Sequence, residues 1–238
     1  MKILALETSA TAASAAVCED EALIAQCFQR TGLTHSATLM PMVESMLKTA
    51  GLTLREMEVI AVAAGPGSFT GLRIGVSAAK GLAWPEDKPC ANVSTLEAMA
   101  WQLSGMEGIV CAAMDARRQQ VYNALFELRD GMPVRLTPDR AISLEELSQE
   151  LAKVEKTQIM VGDGAHLCYN AFEKLGYPVK MAPPHLQYQN AWGVARCALE
   201  QARASQLTDA AGLIPNYHRL SQAERERLAK ENNRKGVS

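Results

Sequence analysis

The residues best suited to chemistry in this chain form the run Gly65-Pro66-Gly67-Ser68-Phe69-Thr70-Gly71, set between an apolar stretch, Met57 to Ala64, and an alanine-rich one, Thr70 to Trp84. The first stretch reads as a buried strand and the second as a helix. The glycines therefore fall on a strand-to-helix turn, where they open backbone angles closed to other residues. N–H groups at the start of such a helix favour an anion. Two phosphate signatures nevertheless fail, since GxGxxG requires glycine where Thr70 stands and GxxxxGK[ST] requires a lysine far nearer than Lys80. An anion cradle and a tight turn made for close packing remain as two readings. Metal chemistry has little to draw on: His35, His166, His185 and His218 include no i, i+4 pair, and Cys18, Cys27, Cys90, Cys111, Cys168 and Cys197 include no CxxC. The thiols are expected to be free and buried.

Composition narrows the class. Apolar residues make up 48% and charged residues 21% of 238, a globular balance with length for one large or two small domains. Apolar stretches fall short of a membrane span, and MKILALETS turns polar too soon for a secretory signal, so a cytoplasmic protein with no membrane contact is expected. With 24 basic against 26 acidic residues, the chain lacks the charge to grip a nucleic-acid backbone alone. The exception is residues 216–238, where Arg219, Arg225, Arg227, Lys230, Arg234 and Lys235 outnumber Glu224, Glu226 and Glu231. This basic tail reads as a solvated helix laced with charge pairs, with contact to tRNA as the other reading.

The elements that must position these residues follow from pattern. Lys2 to Leu6, Ala13 to Cys18 and Glu21 to Phe28 read as three strands of a meander. His35 to Ala50 reads as a helix stopped by Gly51, with Ser36 as its cap and Pro41 kinking it or delaying its start. After the glycine loop come a strand at Pro89 to Val93 and a helix at Thr95 to Leu103 capped by Ser94. The second half repeats the order, with strands at Ile109 to Met114, Gln119 to Leu128 and Met132 to Pro138. A helix at Leu144 to Leu151 capped by Ser143, a strand at Gln158 to Val161, the turn Gly162-Asp163-Gly164-Ala165, and helices at His166 to Leu175 and Trp192 to Gln206 complete it. This duplication predicts two α/β domains, residues 1–104 and 105–215, beside a cleft.

The order resembles the actin-like, sugar-kinase and heat-shock ATPase superfold, in which two domains, each a mixed sheet flanked by helices, face a nucleotide cleft. LALETS, AAGPGSFTGLRIGVSAAKGLA, AMDARRQQVY and PNYHRLSQAERE together resemble the TsaB (YeaZ) family across nearly the whole chain. The superfold resemblance implies a vestigial phosphate or nucleotide site at Glu7, Thr8, Ser9, Gly65, Gly67, Ser68, Thr70, Asp115, Gly162 and Gly164. Glu7 and Asp115 could hold Mg²⁺ through water, or serve only as turn formers at strand ends. Arg117 and Arg118 could meet phosphate or a partner carboxylate, or lie solvated in a hairpin turn. Weak ATP or ADP binding is the most that is implied, with no cofactor and no metal expected.

The family resemblance implies an accessory subunit for placing threonylcarbamoyl on the adenosine beside the tRNA anticodon. It works with the catalytic relative TsaD and the ATPase TsaE, and reaches tRNA through that complex. Where TsaD is implied to carry an H-x-x-x-H metal pair, this chain has Thr95 and Met99, so no residue is expected to be catalytic. Gly71, Gly75 and Gly81 each cost a helix about 1 kcal/mol, which something must offset. One reading is core packing. The other is a partner interface built from Leu39, Met42, Val43, Met46, Leu72, Gly75 and Ala79, which would pair with TsaD or, without it, form a homodimer. The rival functions are an ATP-binding phosphotransferase or ATPase of the same fold and, further off, a metal-dependent peptidase.

Overall fold

Both halves of the chain build a sheet by the same route. In this computed structural model, which describes residues 1–218, β1 (Lys2–Glu7), β2 (Ala13–Glu19) and β3 (Ala22–Gln29) form an antiparallel meander. Helix α1 (His35–Ala50) then leads to β4 (Val59–Gly65), parallel to β1, and α2 (Phe69–Ala83) leads to β5 (Cys90–Ser94), parallel to β4. The sheet order is β3-β2-β1-β4-β5. Past α3 (Thr95–Trp101), a second meander runs through β6 (Gly108–Asp115), β7 (Gln120–Arg129) and β8 (Met132–Arg135), followed by β9 (Arg140–Ser143) and α4 (Leu144–Leu151). Then come β10 (Gln158–Val161), α5 (Ala165–Glu173), β11 (Val179–Met181) and α6 (Ala191–Arg203). The second sheet is ordered β11-β10-β6-β7-β8, with β9 pairing β7, so the expected pair of mixed sheets flanked by helices is the architecture observed.

Local chemistry sets the element ends. Ser94 accepts the N–H of Glu97 at the start of α3, and Ser143 with Glu146 closes a reciprocal capping box at α4. Gly51 ends α1 in the left-handed region at φ +68°, where any other residue is strained. Three expectations need correction. Thr34, not Ser36, precedes α1, and its side chain makes no cap bond. The helix already begins at His35, so Pro41 does not delay its start; Pro41 sits on the exposed side, where solvent can take the carbonyl it leaves unpaired. The strand read at 132–138 stops at Arg135, because Leu136 and Thr137 turn their N–H groups onto the Leu125 carbonyl before β9 begins. The basic tail read at 216–238 falls, from 219 onward, outside the described residues.

The central strands β1, β4, β6 and β10 look continuously apolar because both their faces are covered, while the edge strands β3 and β8 stay largely exposed. Leu4 and Leu6 of β1 face α1 and α2, while Ile3 and Ala5 face α6 and Trp101. This changes the expected division at 105–215. Helix α6 packs on β1, β2, β4 and β5, placing Val194, Ala198 and Leu199 in the core of the first sheet. The chain then runs back along β5, where Cys90 and Thr208 exchange N–H···O bonds of 2.7 and 2.8 Å, and over the end of β4, where Asn216 N donates to Ala64 O at 2.6 Å. The first sheet needs this return, since α1 and α2 both cover its other face. Helix α3 lies between the halves, with Ala98 and Trp101 on one core and Leu96, Met99 and Leu103 on the other.

The glycines of α2 also find their reason inside the chain. A Cβ at Gly71 would fall on the Thr8 carbonyl oxygen, and one at Gly75 on Thr8 Oγ1, which itself donates to Gly71 O at 2.8 Å. Both glycines let α2 press against the turn after β1, whereas a Cβ at Gly81 would meet nothing within 4 Å. Gly71→Ala and Gly75→Ala are therefore expected to lower stability by about 1–3 kcal/mol, the range for overpacking a filled site. Gly81→Ala is expected to raise it by up to about 1 kcal/mol. Urea unfolding of the three variants checks this, and equal shifts at all three positions would refute the packing role.

Candidate functional site

The turns after four parallel strand ends converge on one cleft of about 580 Å³. Ser9, Ala10 and Thr11 follow β1, Gly67 to Thr70 follow β4, Met114 to Arg117 follow β6, and Asp163 follows β10. Ligands of open α/β sheets collect at such carboxyl ends. The glycine loop is tied to the first turn, since Ser68 N donates to Ser9 O at 2.7 Å. Ser68 Oγ accepts Gly71 N–H at 3.4 Å, a long cap on the helix start that faces the cleft. The returning C-terminal segment closes the rim. Tyr217 stacks on Phe69 at 4.8 Å, and Arg73 lies over the Phe69 ring at 3.8 Å while its Nε donates to the Tyr217 hydroxyl at 2.9 Å.

Of the residues read as a phosphate or nucleotide site, Ser9, Gly67, Ser68, Thr70 and Asp115 line this cleft. Glu7, Thr8, Gly65, Gly162 and Gly164 are buried behind it, and the three glycines have a packing reason. A Cβ at Gly65 would clash with Asn216 O, and one at Gly162 with Ala113 O. A Cβ at Gly164 would stand 2.8 Å from Met114 C and 3.0 Å from Asp115 N. Both glycines of this turn pack on the end of β6. Asp163, which stands between the two glycines, was the residue to weigh, because a turn that buries its glycines against a strand turns the residue between them outward.

Charge in the site is dominated by three carboxylates. Glu7 is fully buried: its Oε1 accepts Ser9 N–H at 2.5 Å, while Oε2 and the nearby Ser9 Oγ have no partner among the described residues. Burial pushes the Glu7 carboxyl from its ordinary 4.5 up to about 7, opposed by Ser9 and reinforced by the charge of Asp163. Asp163 is also raised, first by burial, against the bond it accepts from Gln189 Nε2 at 2.6 Å. Asp115 is exposed and accepts Arg117 N–H at 2.7 Å. Arg117, Arg118 and Gln119 follow with φ of +62°, +56° and +59°, three non-glycine residues in succession in the left-handed region. A water-bridged magnesium ion needs carboxylates open to solvent. Asp115 meets that need and Glu7 does not, so the residues present do not fit the implied Mg-nucleotide arrangement.

The interface read from sequence is also corrected. Leu39, Met42, Val43, Met46, Leu72, Gly75 and Ala79 are all buried, and all but Leu72 and Gly75 belong to one core cluster with β1, β2 and β4. Their helical spacing marked the inward face of each helix. The outward faces of α1 and α2 form an apolar groove of about 520 Å³, which Leu39, alone of those seven, helps to line beside Ser36, Met40, Ile74, Ser77 and Ala78. Met40 there is 41% exposed.

Two sheets of one order, each flanked by helices and meeting at a cleft made by their strand ends, define a protein of the actin-like, sugar-kinase class. Residues 29–227 match a family model described as "TsaD: tRNA N6-adenosine threonylcarbamoyltransferase". The chain is 32% identical to the tRNA threonylcarbamoyladenosine biosynthesis protein TsaB of Bacillus subtilis, over 94% of this chain and 96% of that one. It is 39% identical to the Escherichia coli protein of the same name over 53% of this chain and 55% of the relative. YeaZ from Pseudomonas aeruginosa superposes with a TM-score of 0.73 at 24% identity, covering 91% of this chain and 99% of that one. Component A of (R)-2-hydroxyglutaryl-CoA dehydratase from Acidaminococcus fermentans shares the fold at a TM-score of 0.53 and 15% identity, covering 85% and 99%. The chain belongs to the TsaB family of tRNA threonylcarbamoyladenosine biosynthesis proteins. No helix among the described residues is long and apolar enough to cross a membrane.

Glu7 yields a test of the buried charge. Below about pH 4.5 the folded and unfolded chains both hold its proton; between 4.5 and about 7 only the folded chain does, so stability falls as pH rises and levels off above 7. At about 1.4 kcal/mol per pKa unit, the loss is about 3 kcal/mol. Glu7→Gln keeps an acceptor for Ser9 N–H and is expected to remove that slope, leaving the variant more stable than the wild type at pH 8. Denaturant titrations at pH 5 and pH 8 measure it; identical pH profiles for the two proteins would contradict the assignment.

Proposed function

We propose that the protein is a subunit without chemistry of its own, which docks on TsaD, helps recruit TsaE, and so supports threonylcarbamoyl transfer to tRNA. The observation that carries this is the state of α3. At the positions where the TsaD resemblance calls for two imidazoles, Thr95 and Met99 are both fully buried, and Met99 Sδ lies 2.8 Å from where a Gly162 Cβ would stand. A hydroxyl and a thioether packed between two cores cannot replace histidine ligands facing a substrate. The near-balanced charge supports contact with tRNA through the complex rather than alone. The protein acts in the cytoplasm, uses no cofactor, and keeps at most weak affinity for ATP or ADP in its cleft.

Docking uses the outward faces of α1 and α2 around Met40, Ile74, Ser77 and Ala78, and a second copy occupies the same surface when TsaD is absent. Small residues on α2 allow close helix approach, and Met40 supplies an adaptable apolar contact. A second reading, an ATPase of the same fold, is favoured by the cleft at the strand ends with Ser9, Ser68 and Asp115 on its walls. Calorimetry with Mg-ATP distinguishes them, tight binding and turnover by the isolated chain supporting the ATPase. Reconstitution with TsaD, TsaE, tRNA, ATP and the threonylcarbamoyl donor tests the main reading. Omitting the chain is expected to abolish modification, and the chain alone to modify nothing; modification undiminished by its omission rejects the role. Ser77→Arg is expected to weaken TsaD binding about tenfold or more, a loss of at least about 1.4 kcal/mol, with an unchanged melting curve.

A further inference from the structure

Three buried oxygens near the turn after β10 have no partner among the described residues: Glu7 Oε2 and Ser9 Oγ, at the end of β1, and Gln189 Oε1, just ahead of α6. Glu7 and Ser9 are fully buried, and Gln189 is 1% exposed. Asp163 connects the three. It accepts Gln189 Nε2–H at 2.6 Å, its charge bears on Glu7, and it lines the cleft together with Ser9. Asp115, at the end of β6, adds its own charge to that of Asp163. None of the groups acting on the Glu7 and Asp163 carboxyls is basic. Buried polar atoms left in this state call for a small polar ligand, either water or an ion.

We propose that Glu7, Ser9, Asp163 and Gln189 hold one monovalent cation, sodium or potassium, between the two halves of the chain. Charge favours an ion over water. A water molecule can satisfy several buried oxygens, but it leaves two carboxylates near each other out of solvent, a cost that one positive charge offsets. The donors decide which kind of ion. Zinc draws on nitrogen and sulfur ligands, calcium on about six to eight oxygens with carboxylates among them, and magnesium keeps several waters that a closed site has no room for. No cluster of three or more His, Cys, Asp and Glu side chains that could hold a metal ion occurs among the described residues. A monovalent ion needs no such cluster, because neutral oxygens can replace its hydration shell, and here a hydroxyl and an amide carbonyl stand beside the carboxylates. The ion is structural. Ser9 is tied to the glycine loop through the bond from Ser68 N to its carbonyl, and Asp163 belongs to the second sheet, so a cation shared by them fixes the two sides of the cleft against each other.

The test uses the full chain without any partner, so it stands apart from the docking reading. Urea unfolding at pH 8 is compared in sodium, potassium and tetramethylammonium chloride at equal concentration, the last cation being too bulky for the site. For an ion with a dissociation constant on the order of 10 mM, about 100 mM raises the folded-to-unfolded ratio about tenfold. At least one of the two small cations is expected to give that rise over tetramethylammonium, and the larger rise identifies the ion. Glu7→Gln removes the charge and is expected to lose the rise while retaining any general effect of the salts. Ser9→Ala, which deletes only a hydroxyl, is expected to reduce it. Equal stability of the wild type in all three salts, the result a buried water predicts, overturns the proposal. A rise that persists undiminished in both variants overturns it as well. The pH comparison of Glu7 given above belongs in tetramethylammonium chloride, where no ion competes with the proton.

Discussion

The close approach of α2 to the turn after β1 is the contact on which the rest of the structure depends. It is nearly backbone on backbone: Gly71 and Gly75 leave room for Thr8, whose hydroxyl returns a hydrogen bond to Gly71 O. The hydrogen bond from Ser68 N to Ser9 O extends the contact to the glycine loop. With that face sealed, Glu7 at the end of β1 has no access to water, and its carboxyl is held near neutrality by burial. The exposed parts of both turns are left to form one wall of the cleft.

The same packing separates what the cleft has from what nucleotide chemistry would need. The strand ends of both sheets point into it, as the duplicated fold requires, but the glycines of the second half are spent on contacts with β6, and the first carboxylate is hidden. Asp115 and Asp163 remain as acidic groups, with Arg117 beside them on a strained turn. The exposed sides of α1 and α2, away from the cleft, form an apolar groove.

Helix α6 and the residues after it make the two halves interdependent. By covering the open face of the first sheet and then crossing β5 and β4, they bring Tyr217 onto Phe69, so the end of the described chain belongs to the rim of the cleft. A division of the chain at 105–215 would cut through this arrangement, since α6 completes the core of the first sheet.

Much of the fold was legible in residue order. The apolar runs, the Ser94 and Ser143 caps and the stop at Gly51 are local features, decided within a few residues by hydrogen bonding and backbone freedom. The repeated strand and helix order carried the architecture. Sequence could not say which face of α1 and α2 turns inward. Leu39, Val43 and Met46 make the same stripe whether they meet a partner or β1, and Gly75 permits close approach without naming what approaches. It also could not place Asp163 and Tyr217 in one cleft, 54 positions apart. Those outcomes depend on which surfaces meet after the chain has folded, and apolar burial, being proportional to area and without direction, leaves that choice to the tertiary structure.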